Sequence, residues 1–151
     1  RPIVPGARRG AWCMSALLSR IVAELAVLVL GGAHTACAES GRDYTDGAAV
    51  LQVVTNRARS GWARYDGTLI DALYEPAQHA TRCRWPLTLE HLRLGLDFAR
   101  GSLSAPPWAR KALWYCGRWD RPGLCESRGA VPLGSAAHTF YGRPGRREGN
   151  R

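Results

Sequence analysis

The chain has 151 residues, 46% of them hydrophobic, and a formal net charge of +9. That length suits one domain with its own hydrophobic core, and the apolar share excludes a disordered chain. Twenty of the 21 basic residues are arginine, and a basic surface suits a polyanionic partner: nucleic acid, anionic lipid or a wall polymer.

Residues 1–13 show no periodicity and read as a disordered leader, or as sequence upstream of a true start at Met14. The apolar run Ile21 to Leu30 is about ten residues long, too short to span a bilayer, so no stable membrane span is expected. Two readings stay open for residues 1–32. The run is the core of a signal peptide, with Arg20 before it and Ala36-Cys37-Ala38 as the cleavage site. Alternatively it is a buried first helix, since Glu24 interrupts it. Gly31-Gly32 is expected to end that helix, with Ala33 to Glu39 forming a short second one.

A polar turn with glycine follows, from Ser40 to Asp46. Asp43 and Asp46 are expected to cap the next helix, whose first turn welcomes negative charge. That helix is the clearest in the chain: from Gly47 to Arg59, Ala49, Val50, Val53, Val54 and Ala58 recur at helical spacing. Thr68 to Tyr74 forms a short helix capped by Thr68, with Asp71 three residues on. Ala77 to Cys83 has no helical pattern and reads as a loop or short strand. Thr88 N-caps a helix to Arg100, with Leu89, Leu92, Leu96 and Phe98 on its apolar side and Gly101 after it. Pro106-Pro107 opens a turn through Leu113. Trp114 to Cys116 reads as a short strand, Arg118 to Gly129 as a loop, and Ala137 to Gly142 as a last extended piece. The tail from 143 to 151 is polar and basic and reads as disordered. The expected class is α+β, mostly helical, with a small β element.

The five cysteines form no C-x-x-C pair, so zinc-ribbon spacing is absent. Cys116 and Cys125 flank a turn with glycine and proline. They form a local disulfide if the protein is exported and stay free thiols if it is cytosolic.

Several short motifs recur in a set order. Glu39-Ser40-Gly41-Arg42-Asp43 follows a helix. Gly47 then leads, through Val50, Val53 and Val54, to Asn56-Arg57. Gln78 to Cys83 forms a Gln…Cys loop, Phe98-Ala99-Arg100-Gly101 ends a helix, and His138-Thr139-Phe140-Tyr141 closes the set. Together they resemble the SleB/CwlJ-type cell wall hydrolases, first recognised as spore-cortex-lytic enzymes, over residues 33 to 142. The first motif stands here as Glu-Ser-Gly-Arg-Asp, where the family carries Glu-Ala-Arg-Gly-Glu. The resemblance implies a lysozyme-like domain that cleaves the bond between N-acetylmuramic acid and N-acetylglucosamine. It also implies a lytic transglycosylase mechanism with one glutamate as acid and base.

Glycoside hydrolysis normally uses two carboxylates, whereas a transglycosylase needs one because the nucleophile belongs to the substrate. Such an acid must hold its proton near neutral pH, which desolvation supplies. Glu39 is the candidate, at a helix C-terminus where a carboxylate opposes the helix dipole. Thr55 and Asn56 either bind sugar hydroxyls or cap their helix. Arg57 holds a substrate carboxylate or makes a surface salt bridge. Gln78 is the candidate substrate-positioning amide. His138 and Tyr141 line the cleft or fix Glu39. Among the tryptophans, Trp62, Trp85, Trp108, Trp114 and Trp119 belong mostly to the core, with some free to stack on sugar rings. No cofactor or metal is expected, and the expected partner of this monomer is peptidoglycan. The expected location is the periplasm or wall if the apolar segment is a signal, and otherwise the cytoplasm. Two other readings stand beside this one: a catalytically inactive glycan-binding domain of the same fold, and a small basic nucleic-acid-binding protein. No nucleic-acid motif is present, and arginine is scattered rather than clustered.

Overall fold

The structure, a computed structural model, describes residues 8–60, 68–75, 82–117 and 130–143, with side chains from Met14 onward. Four α-helices are described: α1 (Arg8–Ser40), α2 (Tyr44–Arg59), α3 (Leu69–Leu73) and α4 (Leu89–Arg100). A 3-10 helix, Pro107–Lys111, leads into strands β1 (Trp114–Gly117), β2 (Val131–Ser135) and β3 (His138–Gly142). The strands form an antiparallel sheet in the order β1-β3-β2. The class is therefore α+β, mostly helical, with a small sheet.

Helix α2 lies between two halves of the core, which is why its apolar residues run round more than one face. On one side Leu51, Val54 and Ala58 pack with Ala36 of α1, Ala72 and Leu73 of α3 and Phe98 of α4. On the other, Ala49, Val50 and Val53 meet Ala109, Ala112 and Phe140. Burying a side chain such as Leu51 contributes about 1.5–3 kcal/mol, so this helix anchors both layers. Its N-cap is Asp43, whose carboxylate accepts from the Asp46 amide. Asp43 thus does the expected capping; Asp46 does not, and its carboxylate goes elsewhere.

From Arg8 onward, the end of the expected leader and the first two expected helices are one continuous helix. α1 passes through Gly31-Gly32 without a break. The glycines let helices approach closely. A Cβ at Gly32 would sit 3.0 Å from Phe98 Cδ1, and one at Gly31 would sit 2.5 Å from the Tyr74 hydroxyl. In return, a Cβ at Gly95 of α4 would fall on the Val29 carbonyl. Continuity also removes the length argument against a membrane span. Met14–Ser40 is long and apolar enough to cross a membrane, with mean hydropathy 1.9, as a signal sequence or a soluble core helix also can be.

The same crossing resets the apolar side of α4. Leu89 is 83% exposed and Leu96 is 39% exposed, while His91, Gly95 and Phe98 are buried. The inward stripe is thus 91, 94, 95 and 98, still at helical spacing but displaced from Leu89 and Leu96. Thr88 caps α4 in a box closed by His91, and Gly101 ends it in the left-handed region. α3 is capped by Thr68, as expected.

Strand β2 is not foreshadowed by sequence pattern. Pro132 and a bulge before Gly134 interrupt its alternation, which an edge strand tolerates. Cys37 is joined to Cys83 by a disulfide, a pairing that no spacing in the chain singles out. Cys116 is also disulfide-bonded, while Cys125 lies outside the described residues.

Candidate functional site

Glu39 lies one residue before the end of α1, and the tight turn after it brings α2 back alongside. Gly41 makes the turn possible, with φ +58°. Three ties fix the turn to the body. The Cys37–Cys83 disulfide lies two residues before Glu39. The buried His91 imidazole donates from Nε2 to the Gly41 carbonyl at 2.6 Å, while its Nδ1 accepts from the Thr88 amide. Trp85 lies against Gly41, and the Arg42 guanidinium sits 5.7 Å from its ring centre.

Within this frame three elements converge. Asp46, in the first turn of α2, is fully buried. Its Oδ2 accepts from Ser40 Oγ at 2.6 Å and from His138 Nδ1 at 2.6 Å. Its Oδ1 accepts from the His138 amide at 2.9 Å. A carboxylate can only accept, so Asp46 fixes Nδ1 as the donor nitrogen and turns Nε2 toward Glu39, 3.8 Å from Oε2. That gap exceeds a hydrogen bond, so the two groups are close neighbours that a small movement would join. Both side chains are about nine-tenths buried, Glu39 at 11% and His138 at 12% exposure.

Burial alone would raise the Asp46 pKa. The hydrogen bonds from His138 and Ser40 outweigh it and hold the carboxyl below its ordinary value. Tyr115 of β1 completes the cluster. Its phenol is hydrogen-bonded to Glu39, and its ring meets the His138 ring edge-on at 5.1 Å. Burial, then the charge of Glu39, push the Tyr115 hydroxyl well above its usual value, so at neutral pH it is a phenol that donates. Arg57 is 3% exposed, donates from Nε to the Leu113 carbonyl at 2.8 Å, and leaves Nη1 buried without a hydrogen-bond partner. Burial lowers its pKa, while Tyr115, Glu75 and Glu39 oppose that effect. Arg57 is thus an internal cation facing the acidic cluster, and among the described residues it makes no surface salt bridge.

The other expected site residues divide. Thr55 donates to the Leu51 carbonyl within its own helix. Asn56 donates to the carbonyls of Ala109 and Ala112 and accepts from Gln52, which bolts α2 to the 3-10 helix. Both hydrogens of its amide are thereby used. Along β3 the period of two sends His138 and Phe140 toward α2 and Tyr141 to the opposite face. Tyr141 therefore does not join His138 at Glu39. Gln78 lies outside the described residues, as do Trp62 and Trp119. Trp108 packs on Phe140 in the core, whereas Trp85 is 54% exposed beside the turn. Among the described residues no group of three His, Cys, Asp or Glu side chains has metal-binding geometry. An open groove of about 400 Å³ lies elsewhere, lined by Tyr44, Thr45, Leu94 and Pro106, and includes none of the cluster.

Sequence reasoning missed Tyr115, His91 and the true duty of Asp46. Alternation along β1 offered Tyr115 as one of two inward choices, but only the pairing of Tyr115 with Phe140 selects it over Trp114. The site is a buried carboxylate flanked by a carboxylate-oriented imidazole, a phenol and a guanidinium. Such a set can hold, give and retake one proton. No family model, curated protein or solved structure matches the chain.

Proposed function

We propose that this protein cleaves the glycan strand of peptidoglycan, in a domain of lysozyme-like type, with Glu39 as its single acid and base. The observation that carries the reading is the placement of Glu39: nearly buried, hydrogen-bonded to Tyr115 and 3.8 Å from His138 Nε2. Asp46 supports one-carboxylate chemistry, because Ser40 and His138 already occupy both its oxygens and leave it unsuited to activate water.

In this scheme the Glu39 carboxyl gives its proton to the glycosidic oxygen as the C1–O bond breaks. The resulting carboxylate then takes the proton of the muramoyl 6-hydroxyl, whose oxygen bonds to C1 and leaves a 1,6-anhydro end. Tyr115 holds the carboxylate in place through both steps, and His138 Nε2 stands close enough to join it after a small movement. The exposed indole of Trp85 offers a face for a sugar ring.

Zymography on peptidoglycan, with mass spectrometry of the products, tests this reading. Wild-type protein clears the gel and yields anhydromuramoyl ends, and Glu39→Gln does neither. Equal clearing by both proteins sinks the assignment of Glu39. Wall binding by both, with no clearing by either, makes the protein a glycan-binding domain instead.

A further inference from the structure

We infer that α1 is a retained membrane anchor whose segment from Met14 to Leu30 crosses a lipid bilayer, with the disulfide-bonded body on the far side from the N-terminal arginines. The exposure pattern changes abruptly along this one helix. From Gly31 to Cys37 all but His34 are buried in the body, while Met14, Leu17, Leu18, Ile21, Val22 and Leu25 are each 44% exposed or more. These side chains share one side of the helix, and the other side carries Ala16, Ser19, Ala23 and Ala26. No charged face exists, as an interfacial helix would need.

The dimensions fit lipid. Met14 to Leu30 rises about 25 Å at 1.5 Å per residue, against a hydrocarbon core about 30 Å thick. The charges between them are Arg20 and Glu24, joined at 2.9 Å across one turn, so the segment carries a compensated pair. Two independent features give the same orientation. Arg8 and Arg9 precede the segment, which places that end in the cytoplasm. Cys37 follows it and is paired with Cys83, a bond that persists on the oxidising side.

Cleavage after Ala38 does not fit this body. It would remove Ala33, Ala36 and Cys37, which are 0–1% exposed, and with Cys37 the disulfide. α4 also crosses α1 at Val29 to Ala33, so the packed part of the helix begins where the exposed part ends.

The test is expression of the full chain in bacterial cells, followed by an alkaline carbonate wash of the membranes and intact mass analysis. The expected result is a chain that stays in the washed pellet and keeps residues 14–30. Protease added to spheroplasts then digests the body. The double variant Leu18→Arg/Leu25→Arg leaves the pellet and, no longer exported, lacks the Cys37–Cys83 bond. Purified wild type, reconstituted with phosphatidylethanolamine–phosphatidylglycerol vesicles, floats with them after the same wash. A chain extracted by carbonate as a soluble oligomer overturns the inference, because a second copy then covers the helix. A mature chain beginning beyond Leu30 overturns it as well. None of these readouts depends on glycan cleavage.

Discussion

The hydrogen bonds at Asp46 make that residue the hinge of the cluster, although it touches no substrate in the proposed scheme. Asp46→Asn keeps the shape but puts an amide where His138 Nδ1 and Ser40 need an acceptor. Losing a hydrogen bond to a buried carboxylate costs about 1.5–3 kcal/mol, and chemical denaturation would show it. The loss depends on pH. The folded Asp46 pKa is depressed, so its stabilisation is complete above the unfolded value near 3.8 and fades as pH falls through the lower folded value. The gap between wild type and variant should therefore be constant at neutral pH and close in strong acid. Tyr115 runs the other way. Its raised pKa contributes stability below about pH 10 that is lost as pH rises toward the folded value. Tyr115→Phe should abolish that alkaline dependence in pH-dependent melting. Under the proposed scheme it should lower kcat on peptidoglycan by about tenfold, the worth of one hydrogen bond of about 1.4 kcal/mol to the Glu39 carboxylate.

The crossing of α1 and α4 rests on backbone proximity. Gly95→Ala places a methyl on the Val29 carbonyl and must push the helices apart, so the unfolding free energy should fall by about 1–3 kcal/mol or more. Gly101→Ala, with nothing within 4 Å but φ +70°, should cost only about 1 kcal/mol. Equal losses in the two variants would contradict close packing at Gly95. The crossing also explains why Gly31-Gly32 continues a helix. Glycine costs each helical position about 1 kcal/mol relative to alanine, and contact with Phe98, Leu73 and Tyr74 offsets that here.

Across the whole molecule, the Cys37–Cys83 bond ties the end of α1 to the segment before α4, over a separation of 46 residues. A loop of that size corresponds to about 4 kcal/mol of stabilisation in the chain-entropy account. The double variant Cys37→Ser/Cys83→Ser should therefore melt well below wild type. Under the proposed scheme it should also lose more glycan cleavage than its unfolded fraction explains, because Glu39 and Gly41 sit beside the bond. Activity that tracks only the folded fraction would confine the disulfide to stability.

Local chemistry is the part that the sequence by itself determined. Helical spacing sufficed for α2 and cap residues for α3 and α4, because each depends on neighbours within a few positions, and the short extended readings at Trp114 to Cys116 and Ala137 to Gly142 fell on β1 and β3. Glu39 and His138 also stood out, His138 as either a cleft residue or a partner of Glu39. Only the tertiary structure decided that they meet, since 99 positions separate them and the register of β3 sets which side of the sheet His138 takes. It likewise decided that Asp46 serves an imidazole, that two glycines continue a helix, and which cysteine pairs with Cys37. Each of those outcomes depends on a partner distant in sequence, and no local pattern encodes it.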